Sequence, residues 1–299
     1  MPADAPIDLR TTLGWFREGR DVVRVGGPEA IDYLQGQLSQ DIDGLAIGSS
    51  ARSFVLQPTG KVDAWVRVTR TGADEVVLDV DKGYGDALIA RLRRFLLRTK
   101  ADVDPLDWAA VALRGPGAAA AARAVIGEEA LVLPAGWPGV EGVDLLGPTA
   151  EPPPGMAEAD ASAYASLRIR SGVPLMGAEL TQATIPAEAG RWVIDASVSL
   201  TKGCFTGQEL VARIDSRGGH VPRHLRGLAV GSGDVPPVGA PVVVDGAEVG
   251  RVTSVAPGPG TDHAVALAYV GRGVTPPAAA EVRHGDLAVP VTVVDLPMG

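Results

Sequence analysis

The sequence predicts an α+β protein in three parts: two α+β lobes followed by a small C-terminal β-barrel. Three observations carry this. Val23, Val25, Gly27, Pro28 and Ala30 match Val111, Leu113, Gly115, Pro116 and Ala118, 88 residues later, and each copy reads strand, Gly-Pro turn, helix. Glu151-Pro152-Pro153-Pro154-Gly155 is a stiff surface crossing. From about Arg226, short β-rich runs alternate with turn signals. The implied parts are 1–105, 106–222 (holding the Pro-rich crossing and the octet Lys202–Glu209) and 223–299.

The elements follow in order. Residues 21–25 alternate as a strand, and Gly26-Gly27-Pro28 turns the chain into a helix from Glu29 to about Gln40, with Ile31, Leu34 and Leu38 at helical spacing. Strands are expected at 52–57, 62–69 and 75–80, then a basic helix at about 83–98. Ala157 to Gly172 reads as a helix, with Tyr164, Leu167, Arg168 and Ser171 on one stripe. A short helix from about Gly207 to Ile214 follows the octet. The barrel runs are 226–230, 241–244, 247–255, 263–270 and 288–295, separated by Pro236-Pro237, Asp245-Gly246, Pro257-Gly258-Pro259-Gly260 and Pro276-Pro277.

Composition narrows the function. The chain has 299 residues, is 46% apolar, and carries a net charge of −9, so it has ample core and is a poor non-specific binder of nucleic acid or membrane. No DNA partner, no RNA as direct ligand and no membrane are expected. One cysteine rules out an intramolecular disulfide and a CxxC site, which fits a reducing, cytoplasmic compartment. The N-terminal residues show neither a basic region nor an apolar run of a signal peptide, and no run approaches the roughly 18 apolar residues that span a bilayer. Gly115-Pro116-Gly117 lacks the third glycine of a dinucleotide fingerprint, and G-x-x-x-x-G-K-[ST] and G-x-S-x-G do not occur. His220 and His224 are four apart, but the preceding glycines and Pro222 interrupt a helix there, and no metal is expected. Arg213, Arg217, His220, Arg223, His224 and Arg226 form a basic run, readable as a solvated connection or as the mouth for an anion such as a polyglutamyl tail or an RNA phosphate.

The most informative stretch is Lys202-Gly203-Cys204-Phe205-Thr206-Gly207-Gln208-Glu209. Thr206 fits an N-cap, and Glu209, three residues on, completes a capping box. Cys204 would then lie two residues before the cap, near the positive end of the helix and near Lys202, which favours thiolate over thiol. The alternative is a small buried hydrophobe.

This octet resembles the K-G-C-[FY]-x-G-Q-E signature of the YgfZ family, folate-binding proteins linked to iron–sulfur cluster assembly and repair; all seven specified positions match. That family is related to the glycine-cleavage T-protein, an aminomethyltransferase. The similarity extends to Tyr33–Asp41, Pro58-Thr59-Gly60-Lys61-Val62, Leu167–Pro174, Thr184–Gly190 and Gly250-Arg251-Val252-Thr253-Ser254. It implies a T-protein-like cloverleaf of two α+β lobes and a barrel around a folate-sized cavity. Tetrahydrofolate or a derivative is the implied cofactor. The implied partners are folate and iron–sulfur proteins or their assembly factors, and through these tRNA-modifying enzymes. In this reading Cys204 is a functional thiolate facing the cavity and Lys202 stabilises it. Gly203 and Gly207 permit the tight backbone around Phe205, and Gln208 and Glu209 hold the turn.

Four residues are implied folate contacts. Asp144 stands where the T-protein has a Glu that hydrogen-bonds the pterin, or is a strand-edge Asp in solvent. Arg168 meets the glutamate tail or pairs with Asp160 or Glu158. Glu188 is a ligand or fixes its loop, and Arg213 belongs to the basic run. One departure matters. In Gly60-Lys61-Val62-Asp63-Ala64-Trp65, the acid positions of the T-protein strand hold Ala64 and Trp65, and Asp63 falls early. A one-residue offset turns a side chain to the other face. The expectation is therefore an accessory protein rather than a classical enzyme. A tetrahydrofolate-dependent aminomethyl or one-carbon transferase, with Asp63 or Asp41 as carboxylate, is the alternative, and a non-catalytic docking scaffold is the third reading.

Overall fold

The computed structural model describes residues 7–124, 130–232, 235–258 and 263–298; residues 1–6 and positions 259–260 of one expected turn lie outside the described residues. The chain opens with β1 (Gly14–Glu18), β2 (Arg20–Gly26), α1 (Ala30–Gln37), β3 (Ser50–Leu56), β4 (Val62–Gly72), β5 (Glu75–Asp81), α2 (Gly85–Leu96) and β6 (Asp102–Leu106). It continues with β7 (Ala109–Arg114), α3 (Ala118–Arg123), β8 (Leu131–Pro134) and β9 (Gly142–Gly147). Then come α4 (Ala161–Ser171), a 3-10 turn (Pro186–Ala189), α5 (Arg191–Ser197) and α6 (Gln208–Ser216). The last strands are β10 (Arg223–Ser232), β11 (Pro241–Val244), β12 (Ala247–Pro257), β13 (His263–Gly271), β14 (Ala278–His284) and β15 (Leu287–Val294).

The two Gly-Pro repeats are real structural equivalents. Gly27 ends β2 and Gly115 ends β7, at φ of 128° and 113°. A Cβ on either would lie 2.6 Å from a backbone carbonyl oxygen, of Lys100 and Thr12 respectively. Only glycine tolerates both the angle and the approach. Those carbonyls just precede β6 and β1. Each repeat is therefore locked by the strand that leads into the other one. β6 pairs with β2, and β1 pairs with β7. The first sheet has the order β3-β4-β5-β2-β6 and the second β1-β7-β9-β8, so β1 crosses to the second sheet.

The sheets stack face to face. Val22 and Val77 of the first meet Ala110, Leu133 and Leu146 of the second. α1 and α2 cover the outer face of the first sheet, with Leu34, Leu88 and Leu92 packed on Val23, Val25 and Leu78. α3 covers the second through Ala118 and Ala122 against Val111, Leu113 and Leu145. α4 joins this sandwich to the barrel. Its N-cap Asp160 accepts from the Ala163 amide at 2.7 Å, its Tyr164 and Leu167 reach the main core, and its Ile169 packs on Leu225, Leu267 and Tyr269.

The barrel is closed, in the order β10-β13-β12-β11-β14-β15. β14, absent from the strand runs expected from the sequence, opens on the weak strand formers Ala278-Ala279-Ala280, and pairing with β11 and β15 holds it extended with Ala280 and Val282 inside. α1 ends at Gln37, short of the expected Gln40, because Leu38 turns extended and bridges Val55.

Candidate functional site

The facing inner surfaces of the two sheets carry an unusual load of charge. Register places Arg52 opposite Arg67, and Arg67 opposite Asp79, across β3, β4 and β5. Asp144 on β9 faces them from the second sheet. Asp144 accepts from Arg67 at 2.5 Å and from Arg114 at 2.7 Å, and Asp79 accepts from Arg67 at 2.8 Å and from Arg20. Arg67, Asp79, Arg114 and Asp144 are at most 3% exposed. Burial works against the ionised carboxyls, but the flanking guanidiniums hold Asp79 and Asp144 below the ordinary aspartate range. Arg20 also pairs with Asp81.

Two members of this set are left over. Glu18 has its nearest cation, Arg20, at 3.9 Å, and burial raises its carboxyl above the ordinary range. Arg52 makes one long contact, 3.5 Å to the Ala135 carbonyl, and stacks 4.8 Å from the Trp65 ring centroid. Both line a cleft of about 370 Å³ where the sheets part beside α4, walled by the rings of Phe16, Trp65, Trp137 and Tyr164. Phe16 and Tyr164 stack at 4.3 Å, and Trp65 is fixed by its indole N–H donating to Ser197 Oγ at 2.8 Å. The volume and the aromatic lining suit a flat, drug-sized organic ligand.

The octet lies elsewhere, wrapped around the end of α1. Lys202 Nζ donates to the carbonyls of Gln35, Leu38 and Gln40 at 2.6, 2.8 and 2.7 Å. This is a lysine capping a helix C-terminus. Burial pushes the ammonium down to about 8, which leaves it cationic at neutral pH. The Thr206 amide donates to Gly36 O at 3.1 Å. Gln208 Oε1 accepts from the Phe205 amide at 3.1 Å, and Phe205 packs on the main core. Gly207 has φ of 81°, and a Cβ there would sit 2.5 Å from Gln57 O; a Cβ on Gly60 would collide with Leu210. The Gly60 turn and the start of α6 thus interlock backbone against backbone.

Comparison with known proteins agrees with this architecture. Residues 223–298 match the glycine cleavage T-protein C-terminal barrel domain. An aminomethyltransferase of Saccharopolyspora erythraea is 28% identical, over 97% of this chain and 87% of its own length. An aminomethyltransferase of Rubrobacter xylanophilus is 30% identical, over 97% of this chain and 84% of its own length. The chain belongs to the glycine-cleavage T-protein family. The crystal structure of the glycine cleavage system aminomethyltransferase T from Bartonella henselae superposes with a TM-score of 0.82, at 23% identity, over 97% of this chain and 87% of that one. The T-protein-like fold expected from the sequence is therefore present.

Within this family fold, the expected site residues fall in separate places. The capping box does not form. The N-cap of α6 is Gly207, in a left-handed conformation with no side-chain cap, and Glu209 is exposed. Cys204 is exposed and is absent from the walls of the aromatic cleft, so it does not face that cavity. Lys202 is engaged with three carbonyls instead of with the thiol. Gly203 is exposed, with open space where a Cβ would be.

Of the four implied folate contacts, only Arg168 lines the cleft, and it donates to Val173 O at 2.7 Å and Glu179 at 3.3 Å rather than to Asp160 or Glu158. Asp144 is buried and doubly paired, not a solvent-edge residue. Glu188 accepts from the Ile185 amide and from Arg223, the loop-fixing alternative. Arg213 is exposed on α6. Asp63 bulges from β4 and pairs with Arg91 of α2 at 3.2 Å, while Trp65 enters the cleft. Asp41 is tied to Gln35 at 2.8 Å.

Glu18, Arg52, Phe16 and Trp137 were not singled out from the sequence. The available signal was the arginines at 20, 52 and 67 and the aspartates at 79 and 81, interrupting otherwise apolar strand runs.

Proposed function

We propose that this protein binds tetrahydrofolate or a derivative in the aromatic cleft between the two sheets. In this reading it acts as an accessory factor of the YgfZ type, supporting iron–sulfur cluster assembly or repair and, through it, tRNA-modifying enzymes. The observation that carries the folate part is the cleft itself: four aromatic rings with one carboxyl whose nearest cation is 3.9 Å away and one guanidinium without a carboxylate partner among the described residues, in a T-protein fold. Stacked rings suit a pterin, a carboxyl suits its N–H donors, and a guanidinium suits a carboxylate.

The accessory role is supported by two features. The acid positions of the T-protein strand hold Ala64 and Trp65, and the nearby Asp63 is engaged with Arg91 on the far side. Cys204 is presented to solvent on a loop anchored to neighbouring backbone through Lys202, Gln208 and the Thr206 amide, an arrangement suited to meeting a partner's thiol, persulfide or cluster. Aminomethyl or one-carbon transfer is the second reading, favoured by the names of the relatives.

Two experiments test this. Calorimetric titration with tetrahydrofolate under reducing, anaerobic conditions should show saturable micromolar binding; none at millimolar folate would end the folate reading. In cells lacking the protein, wild type should restore the activity of iron–sulfur enzymes and Cys204→Ala should not. Full rescue by Cys204→Ala would end the proposed role of the thiol. Methylene-tetrahydrofolate formation from an amine donor would favour the transferase.

A further inference from the structure

We infer that Arg52 is the anion-binding group of the central cleft and that the ligand it grips is an aromatic compound bearing a carboxylate. The inference rests on the folate reading and deepens it: Arg52 would hold the p-aminobenzoylglutamate half, not the pterin.

Arg52 is placed by register directly opposite Arg67, a like-charge pair that disfavours the sheet. Arg67 is compensated by Asp79 and Asp144; Arg52 has no carboxylate within ion-pair distance among the described residues. Burial and the fields of Arg67 and Arg20 push Arg52 down to about 10, so it remains charged at neutral pH. The other guanidiniums on the cleft wall, Arg20 and Arg168, are engaged with Asp79 and Asp81 and with Glu179. Lys82, at the exposed rim, pairs with Asp21 at 2.9 Å. Arg52 is therefore the cation on that wall with no carboxylate partner among the described residues.

Geometry supplies the rest. The guanidinium lies over the Trp65 ring, 4.8 Å from its centroid, and the long contact to Ala135 O leaves most of its five N–H groups for another acceptor. A planar fork set among aromatic rings recognises a carboxylate attached to a flat scaffold, because the rings take the scaffold while the fork takes the anion. An uncompensated guanidinium costs the empty protein stability, and a bound carboxylate offsets that cost.

The test compares wild type, Arg52→Gln and Arg52→Lys with three probes: tetrahydrofolate, p-aminobenzoylglutamate alone, and a tetrahydropterin lacking any carboxylate. Arg52→Gln should weaken tetrahydrofolate and p-aminobenzoylglutamate by about 10- to 100-fold and leave the neutral pterin unchanged, with Arg52→Lys recovering part of the loss. The ligand-free Tm of Arg52→Gln should equal or exceed that of wild type. Unchanged tetrahydrofolate binding by Arg52→Gln, an equal loss for the neutral pterin, or a lowered ligand-free Tm would each overturn the inference. If wild type ignores tetrahydrofolate yet binds p-aminobenzoylglutamate in an Arg52-dependent way, the folate reading fails and the anion site stands. If wild type binds neither carboxylate-bearing probe at millimolar concentration, the anion site fails as well.

Discussion

The sheet interface and the octet loop handle polar groups in opposite ways. At the interface, guanidiniums and carboxylates are buried against each other across two sheets in a shared network, in which Arg52 has no carboxylate partner among the described residues and Glu18 only a distant one; both open on the cleft. In the octet, Lys202, Gln208 and the Thr206 amide are tied to neighbouring backbone, and the Cys204 thiol faces solvent, as does Glu209. The comparison supports a division of labour in the proposed function: the incompletely paired groups inside would meet the ligand, and the backbone-anchored loop would present its exposed thiol.

The largest effect should come from breaking the interface. Asp144→Ala strands Arg114 and removes half of Arg67's compensation, and should cost about 3–5 kcal/mol in denaturant unfolding. A loss under 1 kcal/mol would show that the network is not what joins the sheets. The pH dependence has a definite sign. Because Asp79 and Asp144 sit below the ordinary aspartate range, their contribution is present above that range and is lost as pH falls through their depressed values.

Next is the loop's own lock. Gly207→Ala meets both a left-handed backbone and Gln57 O, and should cost about 3 kcal/mol. Lys202→Met leaves three carbonyls without their donor and should cost about 2 kcal/mol, with faster proteolysis near residues 199–207.

Glu18→Gln sharpens the contrast from the cleft side. A carboxyl raised by burial favours folding at low pH and loses that advantage as pH rises through its raised value. The variant should therefore melt a few degrees above wild type at pH 7, and the gap should close below the ordinary carboxyl range. Lower stability at pH 7 would mean that Glu18 has a partner after all. The smallest effect on stability belongs to Cys204→Ala, within about 0.5 kcal/mol, because the side chain is exposed.

Much of the fold was legible because its signals are local. The paired segments at 23–28 and 111–116, Val-x-Val-x-Gly-Pro and Val-x-Leu-x-Gly-Pro, each dictate a strand, a turn that only glycine closes, and a helix. The crossing of β1 to the second sheet was not legible: Gly14–Glu18 pairs with residues about a hundred positions away, and nothing local selects that partner. That crossing is what carries Phe16 and Glu18 into the cleft, so the proposed ligand site was hidden with it. The octet was legible as a motif but not as a geometry. Its lysine reads as a neighbour of the thiol in sequence, and only the fold brings the end of α1 to its ammonium.

In the proposed function, ligand and thiol occupy separate places on one scaffold. The most direct measurement is a tetrahydrofolate titration of Cys204→Ala beside wild type. Equal micromolar dissociation constants are expected. Binding that is lost or weakened tenfold in Cys204→Ala would place the thiol in the ligand site and contradict the account.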